Sequence, residues 1–437
     1  SFDQATLYEN MNKIVKTIGY KPSGKQTSLA SINATAAAGL TTGNYTIKKY
    51  SYFLVDNIQY TMLKDYSFTI SEAKDQSLDV LNENVILYQG AVGEYPDYTA
   101  QGSEFETLNI VVDNVLDSND SRFIADNTIS VYVKEVESEL YYEYKEVDSL
   151  YIADKNERVF EKRLNENGHF VIKFGDGVSG KILTQGSIVS VNYILSDNQR
   201  GIISKNAING NKLFSYDSSR QRKIFNDTYT NKDSTTFITP ANNSLLTFNN
   251  PNNSSPVLEE ETVDQIRENA PRVFNSQLRL VSTQDYEAFM DKSFNNIIID
   301  SKVVNNICVD PDKSNRVLIN QINFADSCDF NNVNIFTVPR FTITNDGDYP
   351  VFLSNSLKNL IIDSANERKS LSQEVVPRDP IYMAFDLGIS NQSEVVSEIS
   401  KDTTLVIVRE SRNKINSERL KSQVSAAILN FFDPVTN

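Results

Sequence analysis

From position 45 onward, apolar residues recur at every second place in short runs separated by clusters of Asn, Asp, Ser and Gly. In Thr128-Ile-Ser-Val-Tyr-Val133 the side chains of Ile129, Val131 and Val133 fall on one face, as a half-buried pleated strand requires. Comparable runs occur at 50–55, 85–88, 108–112, 140–144, 170–174 and 188–195. No helical spacing interrupts them. The sequence therefore predicts a β-rich first half over 45–200, built as a sandwich or a meander. Ahead of it, 1–44 reads as an N-terminal helical segment, with Leu7, Met11, Ile14, Val15 and Ile18 at helical spacing and Gly19 placed to cap.

The pattern changes at 201–258, where turn formers accumulate, including Asn249-Asn-Pro-Asn-Asn-Ser254, and six Lys and Arg face three Asp. This predicts an Asn-rich linker or insertion. Beyond it, Thr262 and Gln265 form a capping box for a helix that Pro271 is expected to end or kink. Ser282 or Thr283 can cap a second helix carrying Tyr286, Phe289, Met290 and Phe294. Strand-like runs follow at 297–304, 316–324, 336–343, 381–387 and 403–408, with helical spacing through Leu357, Leu360 and Ile361 and again from Leu420 to Phe431. The whole is expected to be an α+β multi-domain chain, its second half (259–437) made of small mixed subdomains with helices packed on sheets.

A net charge of −15 over 437 residues repels phosphate backbones, so nucleic acid is not the expected partner. No apolar run is long enough to span a bilayer as a helix, so no membrane partner is expected either. Two cysteines, Cys308 and Cys328, cannot build a disulfide framework and suit synthesis in a thiol-reducing compartment. His169 is the single histidine, which leaves an imidazole-based metal or acid–base site without partners. Phosphate-loop and nucleophile-elbow patterns are both missing.

Gly175-Asp-Gly177-Val-Ser-Gly180 does match a phosphate-cradling pattern, but that chemistry needs a helix immediately afterwards. The following residues read as strand, so Asp176-Gly177 is expected to be a tight turn and no cofactor is expected. The acidic group Asp113, Asp117, Asp120 and Asp126 keeps open an alternative: a β-rich carbohydrate-binding adhesin or glycan hydrolase.

Two motifs carry a family resemblance. Phe174-Gly-Asp-Gly177-x-x-Gly180 with Gly186 and the strand behind it comes first. Ile266-Arg-Glu-Asn-Ala-Pro271, Gln277-x-Arg279 and Ser282-Thr-Gln-Asp-Tyr286 come second, in the same order. Together they resemble the baseplate J-like family of contractile-tail bacteriophages, wedge subunits in particular. The resemblance implies a non-enzymatic virion protein of the tail baseplate, made in the host bacterial cytoplasm. Its implied partners are copies of itself, as a homodimer repeated into a ring, and other wedge subunits including a sheath-proximal one. Against that family the chain reads as trimmed at both ends, opening without Met and stopping at Asn437. Phe174, Gly175, Asp176, Gly177 and Gly180 are then the structural turn motif. Arg272, Phe274, Gln277, Arg279 and Tyr286, which combine planar donors with aromatic area, are the candidate self-association residues.

Overall fold

The computed structural model describes residues 7–36, 41–70, 78–111, 121–165, 168–214, 235–237, 246–276, 279–305, 332–340, 352–380, 387–388 and 403–404. The fold is α+β and β-rich, with four α-helices among the described residues. The chain divides into two compact units, one of 1–314 with 323–379 and one of 315–322 with 380–437.

After helix α1 (Tyr8–Thr17), the chain enters strands β1 (Leu29–Ala36), β2 (Gly43–Ile47), β3 (Tyr52–Val55), β4 (Ile58–Met62), β5 (Tyr66–Ile70) and β6 (Leu78–Gln89). Strand β1 thus begins the sheet inside the stretch expected to be helical. Both of its faces are covered, so small residues such as Ala30, Ser31 and Ala34 replace the period-two alternation that reveals a half-exposed strand. Strands β3 and β4 are joined at Asp56 and Asn57, whose φ values of 49° and 68° match the tight primed turn that suits strand twist.

The next strands are β7 (Ala91–Thr99), β8 (Thr107–Ile110), β9 (Phe123–Ile124), β10 (Ser130–Lys134), β11 (Tyr141–Glu146), β12 (Val159–Leu164), β13 (Phe170–Phe174) and β14 (Ile188–Ser196). They form an eight-stranded sheet in the order β7-β14-β10-β11-β12-β13-β8, with β9 also paired to β14. Its core holds Val131, Val133, Phe160, Phe170, Ile172, Phe174, Val189 and Val191, the inward members of the alternating runs.

Strands β15 (Leu213–Phe214), β16 (Thr235–Phe237) and β17 (Leu246–Asn249) come from the stretch expected to be an Asn-rich linker or insertion. Each is paired into a sheet. The first sheet runs β15-β3-β4-β6-β1-β17, and β16 extends a smaller one, β16-β2-β5. Asn250 is fully buried, its amide donating to the carbonyls of Ser204 (2.8 Å) and Asn252 (2.9 Å) while its oxygen accepts from the Ile208 amide (2.9 Å). The turn-forming composition therefore supplies internal hydrogen bonds that a buried connector needs. Of the basic residues in this stretch, Lys205 and Lys212 are described, whereas Arg220, Arg222, Lys223 and Lys232 lie outside the described residues.

Helix α2 (Val263–Ser276) starts with the expected cap: Gln265 Oε1 accepts from the Thr262 amide at 2.9 Å and Thr262 Oγ1 from the Gln265 amide at 3.3 Å. It does not end at Pro271 but runs on to Ser276. Proline removes the hydrogen bond to the Arg267 carbonyl, yet Ile266 and Ala270 pack with Met11, Val15 and Tyr20 of the α1 region, and that burial holds the helix together. Helix α3 (Thr283–Ser293) is capped by Ser282 and Asp285 reciprocally. Strands β18 (Ile298–Asn305), β19 (Asn332–Pro339) and β20 (Glu374–Arg378) then form a three-stranded sheet backed by α3 and helix α4 (Asn355–Asn366). Strand β20 tolerates Pro377 because it lies at the sheet edge.

The second unit contributes the short parallel pair β21 (Leu387–Gly388) and β22 (Thr403–Thr404). The strand expected at 316–324, the helix expected from Leu420, and both cysteines lie outside the described residues.

Candidate functional site

The glycine motif forms a turn leaving β13. Asp176 Oδ1 accepts from the amides of Val178 (2.9 Å) and Ser179 (2.6 Å), and the Gly177 amide donates to the Gly180 carbonyl (3.0 Å). Those amide bonds hold the Asp176 carboxyl below its ordinary range. Gly177 and Gly180 adopt φ of 87° and 82°, which glycine reaches without side-chain strain. Residue 181 then runs into an irregular stretch and β14, not a helix. A phosphate cradle needs free amides at a helix N-terminus; here they serve the turn itself.

The second motif separates into two kinds of residue. Arg272 and Phe274 lie near the end of α2, where Arg272 pairs with Glu268 (2.8 Å) and Asp291 (3.8 Å) and Phe274 is 56% exposed. Arg279 is exposed, and it adjoins the Leu280–Lys369 bridge, beyond which Val281 and Leu371 are exposed as well. Tyr286 is not a surface residue: it is fully buried in the core beneath α3 and donates its hydroxyl to Gln373 Oε1 (2.9 Å). As an amphipathic helix residue it faces the sheet, so its contacts are internal. Gln277 lies outside the described residues.

Between these regions the structure opens a groove of about 820 Å³ that neither motif announces. Its floor is the outer face of the β12-β13-β8 end of the eight-stranded sheet. Register places Glu161, Lys173 and Thr107 in one row across the three strands, and Arg163, Val171 and Asn109 in the next. These are the positions that alternate with the core residues Phe160, Phe170, Ile172 and Phe174. One wall is α1, through Asn12 and Lys16, and the end of α2, through Val273 and Phe274. The other carries Ser149 and Tyr151, the latter 73% exposed.

Charge in the groove is uneven. Its two carboxylates are already engaged, Glu161 with Lys21 at 3.3 Å and Asp148 with Arg368 at 2.5 Å. Burial lowers the Lys21 ammonium from its ordinary value despite Glu161. Arg163 donates to the Tyr20 carbonyl. Lys16 and Lys173 make no ion pair among the described residues; Lys173 Nζ stands 4.0 Å from the ring centre of Phe105 and 5.8 Å from that of Tyr151.

Phe105 is held there by its neighbour. Glu106 accepts from the amides of Gln101 (2.6 Å), Gly102 (3.0 Å) and Ser103 (3.2 Å) and from the Tyr98 hydroxyl (2.7 Å). Burial alone raises its carboxyl, but the Tyr98 hydroxyl and these amides outweigh it and keep it below the usual range. The loop so folded puts Phe105 at φ 50°, a left-handed conformation that costs an aromatic residue of order 1–3 kcal/mol. Its ring lies 6.1 Å from Tyr151, centre to centre. Sequence reasoning missed Phe105, Tyr151 and Lys173; only the alternation of β13, which puts Lys173 opposite the core, hinted at one of them.

Other residues singled out by type have structural positions. Asp126 accepts from the Gly24 amide (2.8 Å) and pairs with the buried Lys162 (2.9 Å); Asp113, Asp117 and Asp120 lie outside the described residues. The His169 amide donates to Asn165 Oδ1 (3.0 Å) at the turn before β13. Among the described residues no group of three or more His, Cys, Asp or Glu could hold a metal ion, and no helix is long and apolar enough to cross a membrane.

No family model matches the sequence. No curated protein matches it either. Among solved structures, the chain is similar to one in "Cryo-EM structure of the anti-feeding prophage (AFP) baseplate, 6-fold symmetrised", with 12% identity, a TM-score of 0.21, 84% of this chain covered and 59% of that chain. A TM-score of that size establishes no common fold.

Proposed function

We propose that this chain is a structural, non-enzymatic subunit of a contractile-tail baseplate, a wedge component that works by protein–protein contact. The ordered pair of sequence motifs supports the family reading. One observation supports a structural role for the more suggestive motif: the amides of Gly177, Val178 and Ser179 are taken up within the turn by Gly180 and Asp176. Stiff sheets with well-filled cores suit a plate that must hold its shape under load.

In this reading copies of the chain meet through the surface around Arg279, Val281 and Leu371, where apolar side chains 65% exposed or more stand beside a planar cation. Such contacts, repeated with other wedge subunits, build a ring around a tail tube, and the ring rearranges when the sheath contracts. The corresponding location is the virion baseplate.

Sedimentation velocity of the purified chain over a wide concentration range tests the contact. Mass should rise with concentration, and Arg279→Ala combined with Val281→Ser should shift the rise to higher concentration while leaving thermal unfolding unchanged. A single mass throughout, or a rise that the double variant leaves in place, contradicts this assignment.

A further inference from the structure

We infer that the groove over β12, β13 and β8 receives an acidic segment of another protein, with an apolar side chain seated against Phe274 and Tyr151. This rests on the reading of the chain as an assembly subunit but concerns a different surface from the one around Arg279. Charge complementarity selects the occupant. In a chain of net charge −15, this groove carries Lys16, Lys21, Arg163 and Lys173 against only Asp148 and Glu161. Lys21 is spent on Glu161, and Asp148 pairs with Arg368 from outside the lining, so Lys16 and Lys173, which make no ion pair among the described residues, leave the groove net positive.

The apolar component is equally specific. Phe274 is more than half exposed at the end of α2, a phenyl ring left in water that a seated apolar side chain would cover. The facing wall carries Tyr151, and behind it Phe105, tilted against the Tyr151 ring and 4.0 Å from the Lys173 ammonium, is fixed in a strained conformation by the Glu106 cradle. Strain held in place by four hydrogen bonds makes a preorganised wall, which reduces the ordering cost of binding. A basic, aromatic trough of this kind fits a segment that alternates carboxylates with Leu or Phe. It does not fit a basic segment, and an uncharged one would leave Lys16 and Lys173 unmatched.

Fluorescence anisotropy with three labelled peptides tests the inference on the full chain. The first alternates Glu with Leu and Phe, the second replaces Glu by Lys, and the third replaces Leu and Phe by Ser. The first should bind at least about tenfold more tightly than the others and weaken with added salt. Lys16→Glu with Lys173→Glu should weaken it about tenfold, as should Phe274→Ser, while Leu371→Ser should not. Lys16→Glu alone, on an exposed helix face, should show a partial loss with unchanged circular dichroism, which separates binding from folding.

Equal binding of the three peptides, no binding of the first, or affinity indifferent to the lysine reversals overturns the inference. If the reversals instead change the sedimenting mass while the peptide does not bind, the groove holds a second copy and the acidic partner is excluded. Loss of peptide binding with concentration-dependent mass intact removes this groove and leaves the assembly reading standing. The converse result removes the Arg279 contact and leaves the groove.

Discussion

Gly175 and Gly180 lie backbone against backbone: a β-carbon added to Gly175 would stand 2.3 Å from the carbonyl carbon and oxygen of Gly180. No flexible side chain is available to give way. The contact closes the turn that follows β13 and brings Gly180 against Val159 of β12, so the motif acts as a clamp between neighbouring strands.

Gly175→Ala should therefore lower stability by about 2–4 kcal/mol, within the range of severe single substitutions. Gly168→Ala is the control, since Gly168 has φ 75° but nothing within 4 Å of an added β-carbon. Only the left-handed conformation is penalised there, by about 1–2 kcal/mol. Urea unfolding of both variants checks the difference; equal losses would show that the Gly175 contact relaxes freely.

Tyr286 separates architecture from interface. Tyr286→Phe leaves Gln373 Oε1 without its donor and should cost about 1 kcal/mol. Tyr286→Ala should cost about 3–5 kcal/mol through lost packing with the α3 core. Neither should alter the concentration at which copies associate, provided the measurement is made well below the unfolding midpoint. A changed association with unchanged stability would return Tyr286 to the surface.

Acid stability should depend on Glu106. Its folded-state carboxyl lies below the ordinary value of 4.5 because the Tyr98 hydroxyl and three amides outweigh burial. The unfolded chain thus binds the proton first. The contribution is fully present above the ordinary carboxylate value and is lost as pH falls through the depressed one. Glu106→Gln should flatten the acid limb of a stability–pH curve. A limb identical to wild type would show that Glu106 carries no such linkage.

Lys292 should act in the alkaline range with the opposite origin. Burial pushes its ammonium down to about 8, against the pull of Glu261, while its Nζ sits 4.3 Å from the Tyr20 ring centre. Between that value and the ordinary 10.5 the unfolded chain holds a proton that the folded chain has released. Stability should rise with pH from about 8 toward 10. Lys292→Met should remove that rise, read as the change in urea midpoint between the two ends of the window. An unaltered slope would assign the rise to other groups.

Much of the fold was legible because half-exposed strands announce themselves by period. The 128–133 run became β10 with Val131 and Val133 inside, and 170–174 became β13. The caps at Thr262 and Ser282 were equally readable, since their chemistry is local. Strand β1 was hidden by burial on both faces, and Asn250 by a composition that suits solvent as well as it suits a buried connector. Pro271 does not end its helix, because burial of Ile266 and Ala270 outweighs the one lost hydrogen bond.

The site was less legible than the fold. Glycine spacing around 175–180 marked a real turn, but the groove depends on contacts between residues far apart in sequence, such as Phe105 with Tyr151 and Lys16 of α1 facing β13. No spacing rule reaches across those separations. The Glu106 cradle is local, yet nothing in Gln101-Gly-Ser-Glu-Phe-Glu106 distinguishes a carboxylate that folds its loop from one that points to water.

Immunogold electron microscopy of contractile particles from the producing cells, with antibody raised against the purified chain, tests the proposed place of this chain in a baseplate most directly. The account predicts gold at the baseplate end of the tail, present before and after sheath contraction. Label along the sheath or on the capsid, or free protein with unlabelled particles, would contradict it.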